Sequence, residues 1–294
     1  MNPGRRRALR VLAGTGVATA AATAKVRAAR LPLQVSPDAV GMLYDTTKCI
    51  GCKACVVACR EANGLEPDTS LDGLHQAPLD LNARTKNVIK LYREGDRVSF
   101  VKAQCMHCVD PACASACMLH SLNKDETTGI VSYDPQYCVG CRYCQMACPF
   151  NIPKFEFEKA APKIVKCEMC RHLLAQGKIP ACCDVCPRQA VIFGKRAELL
   201  AEAKKRIAGE PGRYVPHVYG ETEAGGTQVL YLSHVPFEKL GLPEYGPQGV
   251  PQTAYSIQEG LYKVFVAPVV LYAALGAVLW RNRTKTEKPE EVKR

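Results

Sequence analysis

The stretch that most limits what this chain can fold into is Cys138–Cys148, CVGCRYCQMAC, followed by Pro149. Three cysteines spaced two residues apart, then a fourth after three more and a proline, form the bacterial run that wraps 4Fe–4S clusters. A tight loop of this kind aims three thiolates at three irons of one cube. Gly140 lets the backbone come close. Pro149 cannot continue a helix, so the fourth thiol sits at a turn.

The rest of the chain repeats this motif. Cys49, Cys52, Cys55 and Cys59 (CIGCKACVVAC) copy its spacing, with Gly51 in the place of Gly140. Cys105, Cys108, Cys113 and Cys117 form a quartet with gaps of two, four and three residues. Cys167, Cys170, Cys182 and Cys186 form another, with gaps of two, eleven and three. In chain order these are the first to fourth quartets, and they use 16 of the 17 cysteines. Irregular spacers imply duplicated ferredoxin-like units, not a solenoid. Cys182 keeps the three-residue gap to the last cysteine found in every quartet, which leaves adjacent Cys183 as a small buried apolar residue. His107 and His172 border cluster cysteines as solvent-facing or potential-tuning neighbours, because four thiolates already complete each site. Zinc also takes thiolate quartets, but it does not need the two-two-three runs. No nucleotide loop, nucleophile arrangement or carboxylate pair stands out, so no catalytic residue is expected.

The net charge of +11 resembles that of a nucleic-acid binder until it is placed along the chain. Six of the 39 Lys and Arg lie in residues 1–28, which hold no acidic residue, so loss of that leader leaves 33 against 28. Sixteen thiolates around four cores of charge 2+ then bring the loaded protein to about −3. Nucleic acid is not an expected partner. Residues 1–28 read as a twin-arginine signal: Arg5, Arg6, Leu9 and Arg10 precede a weakly apolar run, and Ala28 is the expected last residue removed. That route exports folded protein, which reconciles metal-bound thiols with an oxidising compartment.

The fold class expected is α+β: nested tandem ferredoxin-like units binding four 4Fe–4S clusters, plus one C-terminal transmembrane helix. The four-cluster domain runs over 41–210, with an inner lobe at about 90–157. Strands are expected at 42–45, 130–133, 191–193 and 228–232, a hairpin around Glu94-Gly95-Asp96, and an amphipathic helix over 198–207. Residues 211–260, rich in Pro and Gly, read as an extended surface-hugging connector. Residues 264–280 carry no charge. With Leu261 and Tyr262 added, the span 261–281 reads as a membrane anchor before a basic cytoplasmic tail at 282–294.

The stretches GMLYDTTKCIGCKAC, AQCMHCVDPAC, CRYCQMACPFNIPKF, AVIFGKRAELLAEAKKR and PHVYGETEAGGTQVL resemble the four-cluster iron–sulfur subunits of molybdopterin oxidoreductases. They are closer still to the membrane-anchored iron–sulfur subunit of hydrogenase-2 type nickel–iron hydrogenases. The resemblance covers roughly 41–280. Met118 departs from it, standing where the family pattern has proline. The resemblance implies an electron-transfer subunit at the periplasmic face of the inner membrane, without a substrate site of its own. Its partners would be the small and large nickel–iron hydrogenase subunits and a polytopic quinone-reactive membrane subunit. The alternative is the iron–sulfur subunit of a formate dehydrogenase or another molybdopterin oxidoreductase, although those usually travel on a partner's signal.

In two-cluster ferredoxins the fourth cysteine of one run serves the other cluster. Cys105, Cys108 and Cys113 are therefore expected with Cys148, and Cys138, Cys141 and Cys144 with Cys117. Across the insertion, Cys49, Cys52 and Cys55 are expected with Cys186, and Cys167, Cys170 and Cys182 with Cys59.

Overall fold

The computed structural model describes residues 33–67, 80–160, 162–252, 254 and 268–281. The expected leader and basic tail lie outside them. The chain divides into two compact units, Pro32–Pro251 and the two chain ends together.

Within the first unit, strand β1 (Val40–Asp45) leads into the first quartet and helix α1 (Ala54–Ala62). A hairpin follows, β2 (Asn87–Glu94) and β3 (Arg97–Gln104), turning at Gly95 in left-handed conformation (φ 57°). The second quartet carries the one-turn helix α2 (Ala112–Ser115) and ends in β4 (Leu122–Lys124). Strand β5 (Val131–Tyr133) leads into the third quartet with α3 (Tyr143–Ala147), and a short ribbon, β6 (Lys154–Phe155) and β7 (Ile164–Val165), returns the chain. The fourth quartet brackets α4 (Arg171–Leu174) and α5 (Ala181–Asp184). It is followed by β8 (Val191–Lys195), α6 (Arg196–Gly209) and β9 (Val229–Leu232).

The pairing reveals a duplication. Strand β1, before the first quartet, pairs antiparallel with β8, after the fourth, with Leu43 opposite Ile192. Strand β5, before the third quartet, pairs antiparallel with β4, after the second, with Leu122 opposite Tyr133. Likewise α1 packs on α5, and α3 on α2. One ferredoxin-like unit, the second and third quartets, is thus inserted between the halves of the other.

Two expectations change. Residues after 210 do more than follow the surface. Strand β9 joins β1 in parallel register to make the sheet order β8-β1-β9, and Val229, Leu230, Tyr231 and Leu232 are all buried. Four consecutive apolar residues suit a strand covered on both faces: Leu230 and Leu232 meet Leu199 and Ala203 of α6, while Val229 and Tyr231 face Met42, Tyr44 and Val101. The hairpin β2–β3, expected within the inner lobe, instead docks on this sheet. The Tyr44 hydroxyl donates to Phe100 O at 2.9 Å and the Tyr231 hydroxyl to Lys102 O at 2.7 Å. The inner unit therefore begins after Gln104.

In the second unit, residues 268–281 form a helix whose side chains, Val269, Leu271 and Trp280 among them, are exposed. Among the described residues no helix is long and apolar enough to cross a membrane; residues 261–267 of the expected span lie outside them.

Candidate functional site

The loops of the first and third quartets share one backbone design. Gly51 and Lys53 (φ 72° and 56°) match Gly140 and Arg142 (φ 71° and 64°), and each pair ends at the start of a helix. Left-handed residues alternating with ordinary ones turn successive backbone N–H groups to one side, a concavity suited to negative charge. At Gly51 the close approach is absolute, because a Cβ there would stand 2.4 Å from the Phe100 ring. The second and fourth quartets share another design. The residue before the second cysteine is left-handed in both, His107 (φ 48°) and Met169 (φ 53°), and Pro111 and Pro180 start the helices that follow.

Backbone amides also point at sulfur. Gly51 N–H donates to Cys49 Sγ at 3.4 Å, and Met169 N–H to Cys167 Sγ at 3.3 Å. Ile152 N–H donates to Cys148 Sγ at 3.5 Å, and Ala190 N–H to Cys186 Sγ at 3.3 Å. The last two repeat one four-residue contact at the fourth cysteine of the third and fourth quartets.

The cysteines gather across the chain, not along it. A cavity of about 140 Å³ is lined by Cys138, Cys141 and Cys144 together with Cys117. A smaller one of about 20 Å³ is lined by Cys49, Cys52, Cys55 and Cys186. Cys108 lies in the electrostatic reach of Cys105, Cys113 and Cys148. Cys59 lies in that of Cys182 and Cys170, and Cys167 in that of Cys59 and Cys182. Asn63 Nδ2 sits 3.7 Å from Cys59 Sγ and 3.9 Å from Cys170 Sγ. These four groups are, in order, sites D, A, C and B. Neighbouring sites lie within electrostatic reach of one another in the sequence A–B–C–D: Cys55 feels Cys182, Cys167 feels Cys105, and Cys113 feels Cys144. Only the two end sites hold an exposed cysteine, Cys52 in A and Cys141 in D.

The donor set fits iron–sulfur clusters. All 17 cysteines are free of disulfides. Burial pushes the Cys55, Cys59 and Cys113 thiols up to about 12, so without a bound cation these groups stay protonated. Among the described residues no three Cys, His, Asp or Glu side chains converge on a single metal ion. Thiolates of a cube each take a separate iron and need not converge. His107 is buried, not solvent-facing. Its Nδ1 accepts the Val131 N–H at 3.0 Å, which leaves the proton on Nε2, and that buried Nε2 has no partner of its own. Next to site C, it is a donor suited to a sulfur acceptor. His172 is exposed. The Cys182 thiol is lowered by a hydrogen bond from Cys183 and by Lys102, against its burial, whereas Cys183 is raised.

The sequence reading missed the buried lysines. Lys102 is fully buried, and Lys166 donates to Val131 O and to Cys167 O at 3.0 Å. Strand parity held the signal for the first, since Lys102 shares a face with inward Phe100 and Gln104 in VSFVKAQC.

Comparison with known proteins supports a ferredoxin-like 4Fe–4S domain. Residues 97–196 match the 4Fe-4S dicluster domain family. The chain is 41% identical over 285 residues to the "Hydrogenase-2 operon protein HybA" of Escherichia coli O157:H7, covering 85% of this chain and 87% of that one. It is 32% identical over 280 residues to the "Formate dehydrogenase-O iron-sulfur subunit" of Escherichia coli strain K12, covering 87% and 91%. A third relative, the "Formate dehydrogenase iron-sulfur subunit" of Haemophilus influenzae, is 34% identical over 82% of this chain and 78% of its own. With its quartets crossing between two nested halves, the chain belongs to this family of ferredoxin-like 4Fe–4S electron-transfer subunits.

Proposed function

We propose that this chain is the electron-transfer subunit of a periplasmic nickel–iron hydrogenase, relaying electrons through four 4Fe–4S clusters to a quinone-reactive membrane partner. The observation that carries this reading is the order A–B–C–D with an exposed thiol only at each end. When bound, the clusters supply one-electron redox chemistry with little structural change. The chain's own residues do the rest. Cys49, Cys52, Cys55 and Cys186 hold site A; Cys59, Cys167, Cys170 and Cys182 hold site B. Cys105, Cys108, Cys113 and Cys148 hold site C; Cys117, Cys138, Cys141 and Cys144 hold site D. Backbone N–H groups aimed at Cys49, Cys148, Cys167 and Cys186 disperse thiolate charge, and the buried cores around B and C exclude water from the middle of the path.

The end sites suit docking. Exposed Ile50 and Val57 flank A, and exposed Met118, Val139 and Met146 flank D. The twin-arginine leader would deliver the loaded protein, and an anchor over 261–281 would hold it at the membrane with the basic tail inside. The name of the HybA relative supports a hydrogenase partner.

The formate dehydrogenase relatives support a second reading, in which the donor is a molybdopterin subunit. Solubilising membranes in detergent and identifying what co-purifies with this chain decides between them. Nickel–iron subunits are expected, and a molybdopterin subunit would move the assignment. Iron analysis of the same material should give about sixteen iron and sixteen sulfide per chain; about eight iron with tight zinc would sink the four-cluster count.

A further inference from the structure

Strand β3 delivers one lysine into the interior of the outer unit. Lys102 is 0% exposed, its carbonyl is held by the Tyr231 hydroxyl, and its Nζ donates to the Gln104 side chain. Among the described residues no carboxylate is ion-paired with it; burial opposes its charge, and the groups that most favour that charge are Cys182, Cys55, Cys167 and Tyr231. Cys59 also feels it. An ammonium buried without a carboxylate is strongly disfavoured unless other anions face it. Here those anions are thiolates of two different sites, Cys55 of A and Cys59, Cys167 and Cys182 of B. Lys86, by contrast, has its own carboxylate, Glu168, at 3.4 Å.

We propose that Lys102 is a positioning residue shared by sites A and B, a buried counter-ion that favours the reduced state of both. The inference rests on the cluster reading above. Four thiolates around a core of charge 2+ leave a net 2−, and the electron arriving from the neighbouring site makes it 3−. A fixed positive charge in a weakly polarisable interior favours the more negative state. Because Lys102 faces both sites, it also offsets their mutual repulsion, so an electron on one hinders reduction of the other less. No proton needs to move, and the electron leaves to the next site along the path.

The test is an EPR-monitored redox titration of the full-length, cluster-loaded chain as wild type, Lys102→Met and Lys102→Arg. In Lys102→Met, with iron content unchanged, the reduction equilibria of two clusters should fall at least tenfold, equivalent to about 59 mV for one electron. The other two should hold, and Lys102→Arg should stay near wild type. Four unshifted midpoints in Lys102→Met would overturn the proposal, and so would equal shifts in Lys102→Arg, which would assign a packing role. If Lys102→Met loses iron, retention of iron in Lys102→Arg supports the counter-ion, and loss in both overturns it. Wild-type protein without 4Fe–4S signals would remove the cluster reading itself and the counter-ion with it, a result distinct from unshifted midpoints.

Discussion

The outer and inner units are built to the same plan but rest on different amounts of protein. In the outer unit, β1 lies between β8 and β9, and α6 covers one face of the sheet through Leu43, Leu199, Ala203 and Leu230. On the other face Tyr44 and Tyr231 stack edge-on at 5.6 Å, and the hairpin closes over them. The inner unit has only short two-stranded ribbons, β4–β5 with three residues each and β6–β7 with two, around Leu122, Val131, Tyr133 and Ile164. Its cavity stays open enough to measure about 140 Å³, against about 20 Å³ for site A. A two-stranded ribbon with so small a core is marginal by itself. Once loaded, the same ligand plan would therefore do different mechanical work: thiolate–iron bonds would decorate a self-supporting core in one unit and substitute for a core in the other.

The strongest way to break that contrast is to remove the iron. Chelation under reducing conditions should strip hydrogen-exchange protection from β4, β5 and α3 while amides of β1, β8 and β9 remain protected. Equal loss in both units, read by mass spectrometry, would show that the outer core is no more independent of metal than the inner one.

Single ligands sharpen it next. Cys117→Ser should remove one cluster, about four iron, from the inner unit, and Cys59→Ser one from the outer. Only the Cys117 change should also expose β4 and β5 to exchange. Loss of the cluster held by Cys49, Cys52 and Cys55 in Cys59→Ser would mean that the quartets close locally.

Apolar truncation comes third. Leu43→Ala and Leu122→Ala each delete a fully buried side chain, with a typical loss of about 2–5 kcal/mol. In the inner unit that loss should appear as faster iron release from site D at unchanged release from A. In the outer unit it should appear as a lower thermal midpoint with iron retained. The smallest effects concern single polar contacts. Tyr44→Phe removes the hydroxyl bond to the hairpin, with an expected loss of about 1 kcal/mol in denaturant titration. Cys183→Ser should leave the cluster spectrum intact while Cys182→Ser loses one cluster; the opposite result would shift the fourth quartet by one residue.

What could be read directly from the chain was local. Ligand spacing within each loop, the glycines at 51 and 140, the turn at Gly95 and the periodic face of α6 depend on neighbours a few residues away, so the residue order carries them. The expected strand at 42–45 is β1, the expected helix at 198–207 lies inside Arg196–Gly209, and the hairpin turns where its Glu-Gly-Asp signal stands. The crossing of fourth cysteines was expected from the two-cluster ferredoxin pattern, in which the fourth cysteine of one run serves the other cluster.

Contacts between distant residues were decided elsewhere. Residues after 210 read as a connector because Pro and Gly dominate them, yet Val229–Leu232 completes a sheet whose other strands lie far upstream. Composition reports local breakers and is silent about which edge a strand will cover. His107 and Lys102 carry polar heads that sequence statistics place at the surface. Folding turns both inward: His107 is held through Nδ1 by the Val131 N–H, while the thiols around Lys102 offer an ammonium the negative charge that solvent would otherwise supply. That exchange depends on Cys55, Cys167 and Cys182 arriving beside Lys102 from three separate segments, and only the folded chain brings them there.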